Sequence, residues 1–165
     1  MNRLAGYSLI FVAAVAAFAQ PKQPATAAQR AAQYFKGVND EVLEMAKDFP
    51  EDKYNFKLKP EMRSFGGVIV HIASGNIYGA KTGRGEKVKW DELDPKDYKT
   101  KAEIVALLEK TIADANASLE ASPEGPNKDL EPWLAVMQHA SEHYGLLVAY
   151  YRANGLVPPA SRPKK

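Results

Sequence analysis

Residues Pro132 to Gly155 read Pro-Trp-Leu-Ala-Val-Met-Gln-His-Ala-Ser-Glu-His-Tyr-Gly-Leu-Leu-Val-Ala-Tyr-Tyr-Arg-Ala-Asn-Gly. At helical period Ala135, Val136, His139, His143, Leu146, Leu147 and Tyr150 fall on one face, an apolar stripe with two imidazoles in its middle. Proline suits the first turn of such a helix, and Gly155 suits the position just past its end. The chain has three histidines, and the third, His71, also sits in an apolar helical run. Two histidines at i and i+4 with a third from another segment form the ligand set of an open metal site. Neutral imidazole serves zinc, nickel, copper or iron. The competing reading is three packed histidines hydrogen-bonded to backbone or tyrosine. Glu142, beside both histidines but off the stripe, reads as solvated or as a hydrogen-bond partner to a ligand.

Working outward, the same periodicity recurs. A first helix is expected from about Ala27 to Lys47, with Ala31, Tyr34, Phe35, Val38, Val42 and Met45 inward, and Phe49-Pro50 ends it. The connection Glu51 to Lys59 alternates Tyr54 and Phe56 with polar residues, but nothing elsewhere offers a strand to pair with it. A second helix is expected from about Pro60, carrying Phe65, Val68, Ile69, His71, Ile72 and Tyr78. Gly67, Ser74 and Gly75 lie near His71 on that wheel, which fits either close helix packing or space left beside an imidazole. Asn76 lies about one turn beyond it, where it could touch a bound ligand. Lys81 to Lys99 is a long polar crossover, so helices two and three need not be antiparallel neighbours. Its Gly83-Arg84-Gly85 lacks the strand and the lysine-Ser/Thr pair of a phosphate loop. Thr100-Lys101-Ala102-Glu103 fits a capping box. Ile104, Leu107, Leu108, Thr111, Ala115 and Leu119 continue a third helix to about Ala121, and Ser122 to Glu131 is a turn region. The fold class is all-α: a four-helix bundle with a long crossover between helices 2 and 3.

Composition narrows the function. The 165 residues are enough for one core, with 45% hydrophobic and 25% charged side chains. A net charge of +2, with no basic stripe, gives nucleic-acid binding little support. No cysteine is present, which removes disulfides, thiolate metal sites and thiol nucleophiles. Ser64, Ser74, Ser118 and Ser141 have no matching His/Asp arrangement. Asp40-Glu41-Glu44 and Asp91-Glu92-Asp94 read as solvated faces and caps. Tyr78, Tyr144, Tyr150 and Tyr151 could line a pocket or fill the core. No catalytic residue is assigned.

The N-terminus reads as an export signal. Arg3, the apolar run Leu4 to Ala17 and the small-x-small pattern Ala17-Phe18-Ala19 predict a signal peptide over 1–19, cleaved before Gln20. The run is short for a membrane span, although an uncleaved anchor is the alternative. A spacer over 20–29, a bundle over 30–161 and a basic tail over 162–165 complete the organisation. The mature protein is expected in the periplasm or outside the cell, with no membrane partner after cleavage.

Three segments together carry a family likeness. Lys59-Pro60-Glu61-Met62-Arg63-Ser64-Phe65-Gly66 leads into Val70-His71-Ile72-Ala73. Gln138-His139-Ala140-Ser141-Glu142-His143-Tyr144-Gly145 and Asn154-Gly155-Leu156-Val157-Pro158-Pro159-Ala160-Ser161 follow. Over roughly Arg30 to Ser161 the chain resembles the DinB/YfiT-like superfamily, and within it the exported single-domain members. The resemblance implies a four-helix bundle of unusual connectivity and a divalent metal, zinc first and nickel second, held by His71, His139 and His143. Members with known activity are metal-dependent transferases or isomerases using low-molecular-weight thiols, with hydrolases as a further class. The expectation for this chain is therefore a metal-dependent transferase or hydrolase that activates a thiol or water for a small-molecule substrate. A homodimer is one expected assembly. The resemblance implies no DNA binding. The thiol-dependent members are cytoplasmic, so export sets this chain apart from them. A non-catalytic metal- or ligand-binding envelope protein is the alternative.

Overall fold

The computed structural model describes residues 26–121 and 130–163. Four helices run through them: α1 (Ala27–Asp48), α2 (Phe65–Gly83), α3 (Lys101–Ala121) and α4 (Glu131–Ala153). Among the described residues there is no strand and no helix long and apolar enough to cross a membrane. The expected signal peptide, most of the spacer, the turn at 122–129 and the two final lysines lie outside the described residues.

The helix ends follow from local chemistry. Thr26 and Gln29 form a reciprocal capping box at the start of α1, and Thr100 and Glu103 do the same for α3. Each box satisfies two amides that the first turn leaves without partners, worth about 1 kcal/mol. Helix α1 stops at Phe49, whose extended backbone precedes Pro50. After α4, Gly155 adopts φ +69°. Its amide bonds to the Arg152 carbonyl and that of Leu156 to the Tyr151 carbonyl, closing a Schellman motif.

Helix α2 starts later than the pattern around Pro60 suggests. Ser64 is its N-cap, the hydroxyl accepting from the Gly67 amide at 3.1 Å. The amides of Phe65 and Gly66 are taken by the carbonyls of Phe56 and Tyr54 in the preceding connection. Residues Glu51–Lys53 form a short 3-10 turn and no strand.

Pairs of contacts give the directions of the helices. A β-carbon on Gly66 would meet Ile104, and the Ser118 hydroxyl bonds to the Ala80 carbonyl, so α2 and α3 run parallel side by side. Phe35 meets Trp133 and Tyr151 bonds to the Met45 carbonyl, so α1 and α4 are also parallel. Gly75, Gly79 and Gly83 face His139, Val136 and Trp133 in reverse order, so α2 and α4 are antiparallel. The order is therefore up-down-down-up, and the crossover (residues 84–100) carries the chain back to start α3 parallel to α2.

The bundle interior has two apolar blocks. One contains Val42, Met45, Phe49, Tyr54, Phe65, Ile69, Ile72, Leu108, Leu147, Tyr150 and Tyr151, with Phe49 and Phe65 stacked at 3.8 Å between ring centroids. The other gathers Phe35, Ala80, Ala115, Leu119, Trp133 and Val136. Between them lies a polar level. Asn39 donates to the Phe35 carbonyl at 2.9 Å and accepts from Asn76 at 3.1 Å, both side chains fully buried. Asn76 thus serves the core. Tyr150 and Tyr151 are core residues as well, their hydroxyls donating to the carbonyls of Arg63 and Met45. The stripes read from helical wheels hold in their centres and fail at their edges, since Tyr34 is 73% exposed and Ala135 is exposed.

Candidate metal centre

His71 projects from α2, and His139 and His143 from α4, at the level where the two apolar blocks meet. All three side chains are half-buried. The i,i+4 spacing puts His139 and His143 one turn apart on the same face, their ring centroids 4.5 Å apart. The antiparallel pairing of α2 with α4 brings His71 opposite both, at 4.7 Å from each ring. One nitrogen from each imidazole lies within 4.8 Å of the others, and the Nε2 atoms of His71 and His139 are 3.0 Å apart.

Glycines make this approach possible. A β-carbon at Gly75 would come 2.8 Å from Nδ1 of His139, at Gly79 2.6 Å from Val136, and at Gly83 2.4 Å from Trp133. Steps of four on α2 face steps of three on α4, the interlock of antiparallel helices packed ridge into groove. The small residues around His71 therefore serve close packing and leave room for an imidazole with the same atoms.

The electrostatics favour neutral imidazoles. Burial and the neighbouring imidazole charges push His139 down to about 4. His71 and His143 are also lowered, chiefly by burial. A neutral ring keeps the lone pair that a metal needs.

The crossover adds what the sequence pattern missed. Glu92 Oε1 lies 3.0 Å from Nδ1 of His71. Arg63 grips the same carboxylate with two nitrogens, Nε donating to Oε1 at 3.2 Å and Nη2 to Oε1 and Oε2 at 2.9 and 3.0 Å. Burial works against ionisation of Glu92, but the bonds and charge of Arg63, together with the contact to His71, outweigh it and hold the carboxyl below its ordinary value. Glu142 is exposed and accepts instead from Gln138 at 3.0 Å. Its partner role to a histidine thus belongs to Glu92, from a cluster read as solvated faces and caps. Asp94 of that cluster does cap a short 3-10 turn. Trp90, 45% exposed, sets its ring 5.6 Å from His71, 5.8 Å from His139 and 5.7 Å from Tyr78.

The donor set fits a divalent ion. With metal–nitrogen bonds of about 2.1 Å, tetrahedral ligand nitrogens stand roughly 3.4 Å apart. The observed spread, with one pair at 3.0 Å and all three within 4.8 Å of one another, brackets that value. Three neutral nitrogens, one backed by a carboxylate, are the chemistry of an open site with room for a further ligand. Ser64, Ser74, Ser118 and Ser141 all bond to backbone groups, as caps or helix-facing hydroxyls.

A helical bundle that gathers three histidines, positioned to hold a metal ion, between two antiparallel helices defines the class of protein. The chain belongs to the DinB superfamily, whose family model matches residues 22–147 and so takes in all three histidines. A search of the curated proteins finds no match to it.

Proposed function

We propose that the protein binds one divalent metal ion through His71, His139 and His143, and that the ion serves a metal-dependent transferase or hydrolase reaction. The observation that carries this reading is the convergence of three nitrogens on a half-buried face. Zinc is the first choice and nickel the second, since both accept an all-imidazole donor set. Bound there, such an ion supplies Lewis acidity, lowering the pKa of a bound water or thiol. The chain's own residues have distinct tasks. The histidines hold the ion, Glu92 orients His71, and the Trp90 ring limits the approach of water to His71 and His139. Gly75 lets His139 seat against α2. The leader-like N-terminal sequence supports a location in the periplasm or outside the cell. That location favours water over a low-molecular-weight thiol as the activated group.

Metal content, thermal melting and substrate screening test this. The purified chain is expected to carry about one ion, to lose it in His139→Ala, and to melt at lower temperature after chelation. Protein that stays metal-free from metal-replete medium, with a melting curve indifferent to chelator and added zinc, would remove the metal reading. Ester, amide and thiol-conjugation substrates, with His139→Ala as control, decide between an enzyme and a non-catalytic metal-binding protein.

A further inference from the structure

We propose that Glu92, carried by the crossover and held by Arg63, is the positioning residue of the histidine cluster. It fixes His71 as the tautomer with the proton on Nδ1, leaving the Nε2 lone pair turned toward His139. Its value for metal binding rests on the reading above, but the tautomer is a property of the protein alone.

The geometry supplies each step. A neutral imidazole carries its proton on either nitrogen, and the hydrogen bond made by one nitrogen decides the role of the other. An ionised carboxylate only accepts, so the 3.0 Å contact between Glu92 Oε1 and Nδ1 of His71 requires the proton at Nδ1. The other nitrogen of that ring, Nε2, is the one 3.0 Å from Nε2 of His139. The wrong tautomer would present an N–H to the centre of the cluster in place of a donor pair.

Glu92 is held at that spot from both of its ends. On the side-chain end, Arg63 engages both carboxylate oxygens. The backbone of Arg63 is itself tied to α4, since the Tyr150 hydroxyl donates to its carbonyl. On the backbone end, the next residue, Leu93, donates its amide to the Ser74 hydroxyl at 3.1 Å, and that hydroxyl donates to the Val70 carbonyl at 3.0 Å. Ser74 is buried on α2, one turn beyond His71. The crossover is therefore pinned beside the very turn that carries the histidine. Glu92 has no oxygen left idle: Oε1 serves His71 and Arg63, and Oε2 serves Arg63. It orients a ligand and is not one.

Two readouts test the proposal on the intact chain. Nitrogen-15 NMR of the metal-free protein reports the histidine tautomers directly. His71 is expected to be protonated at Nδ1 in the wild type and to lose that preference in Glu92→Ala. Zinc affinity, measured by competition with a chromophoric chelator, is expected to fall about 10–100-fold in Glu92→Ala. It should fall less in Glu92→Gln, which keeps a carbonyl acceptor, and should also drop in Arg63→Gln. Thermal melts establish that each variant is folded, and Glu92→Gln serves if Glu92→Ala is not. An unchanged His71 tautomer in Glu92→Ala, or zinc affinities within twofold of wild type in Glu92→Ala and Arg63→Gln alike, would overturn the role. If the tautomer shifts as expected while the wild type takes up no zinc, the positioning role stands and the metal reading falls.

Discussion

Gly75 and His139 share one space: a β-carbon on the glycine would stand 2.8 Å from Nδ1 and 2.9 Å from Cε1 of the imidazole. The candidate metal centre is therefore a consequence of how closely α4 approaches α2. The same glycine series that lets Val136 and Trp133 pack also lets His139 lie within reach of His71.

Gly75→Ala separates these two effects. Replacing a mid-helix glycine by alanine ordinarily stabilises a helix by roughly 0.5–1 kcal/mol, and the imidazole can swing away from the added methyl. The variant is expected to fold with a melting temperature near wild type and to bind zinc at least about tenfold more weakly. Gly83→Ala should behave in the opposite sense. Its methyl would come 2.4 Å from the rigid, fully buried ring of Trp133, so overpacking should cost about 1–3 kcal/mol of stability. Calorimetric melts and zinc titrations check the pair. Wild-type zinc affinity in Gly75→Ala would mean that His139 is not confined by that contact.

Trp90 offers a local reporter. Its ring lies 5.6 and 5.8 Å from those of His71 and His139, whereas Trp133 is fully buried in the second apolar block. Copper(II) bound by the histidines is expected to quench the exposed tryptophan and leave the buried one bright. Chelator should restore the signal, and Trp90→Phe should abolish the response. Zinc, with a filled d shell, should produce no such quenching. Equal copper quenching in wild type and Trp90→Phe would place the ion away from this cluster.

The fold was legible because its signals are local. Helical periodicity, the Thr100–Glu103 capping box, Phe49-Pro50 and Gly155 each act within a few residues, and each marks the element it should, whereas the Thr26–Gln29 box at the start of α1 went unread. The histidines were legible for the same reason, as polar residues interrupting apolar stripes. What failed was set by distant partners. Where α2 begins depends on carbonyls of Tyr54 and Phe56 that receive its first amides, and no wheel shows those. Tyr34 and Ala135 lie at stripe edges, and whether an edge is covered depends on where the neighbouring helix passes. Glu92 reaches His71 across 21 positions from a crossover with no period, so proximity in sequence pointed to Glu142 instead.

The buried asparagine pair makes a stability prediction. In Asn39→Ala the Asn76 amide loses its acceptor inside the bundle, and a side chain of some bulk is removed from the level between the two blocks. The expected cost is about 1–3 kcal/mol for the stranded polar group, with a cavity contribution added. Chemical denaturation should show a lower midpoint. Asn39→Ala combined with Asn76→Ala should cost less than the sum of the two single variants, because no donor is then left alone. Additive losses would show that the pair is not coupled.

The last prediction concerns acid. Asp48 closes α1, and its carboxylate takes a bidentate pair from Arg162, at 2.8 Å to Oδ1 and 2.5 Å to Oδ2. The Tyr151 hydroxyl, whose single proton is shared with the Met45 carbonyl, lies 3.1 Å from Oδ2. The bonds from Arg162 hold the carboxyl below its ordinary value, with the tyrosine assisting and burial opposing. The sign follows from the lowered folded-state value. In the unfolded chain the group titrates near the reference of about 3.9, so its stabilising contribution is complete above that pH and disappears as pH falls through the folded-state value. The pair is partly exposed, so salt should weaken it. Asp48→Asn is therefore expected to lower the melting temperature by a few degrees at neutral pH. Its curve should converge with that of wild type in strong acid, and the neutral-pH gap should narrow at high salt. Melting curves for the two proteins across the acid range check this. A gap that is the same at every pH would assign the contribution of Asp48 to packing of the α1 terminus and not to its charge.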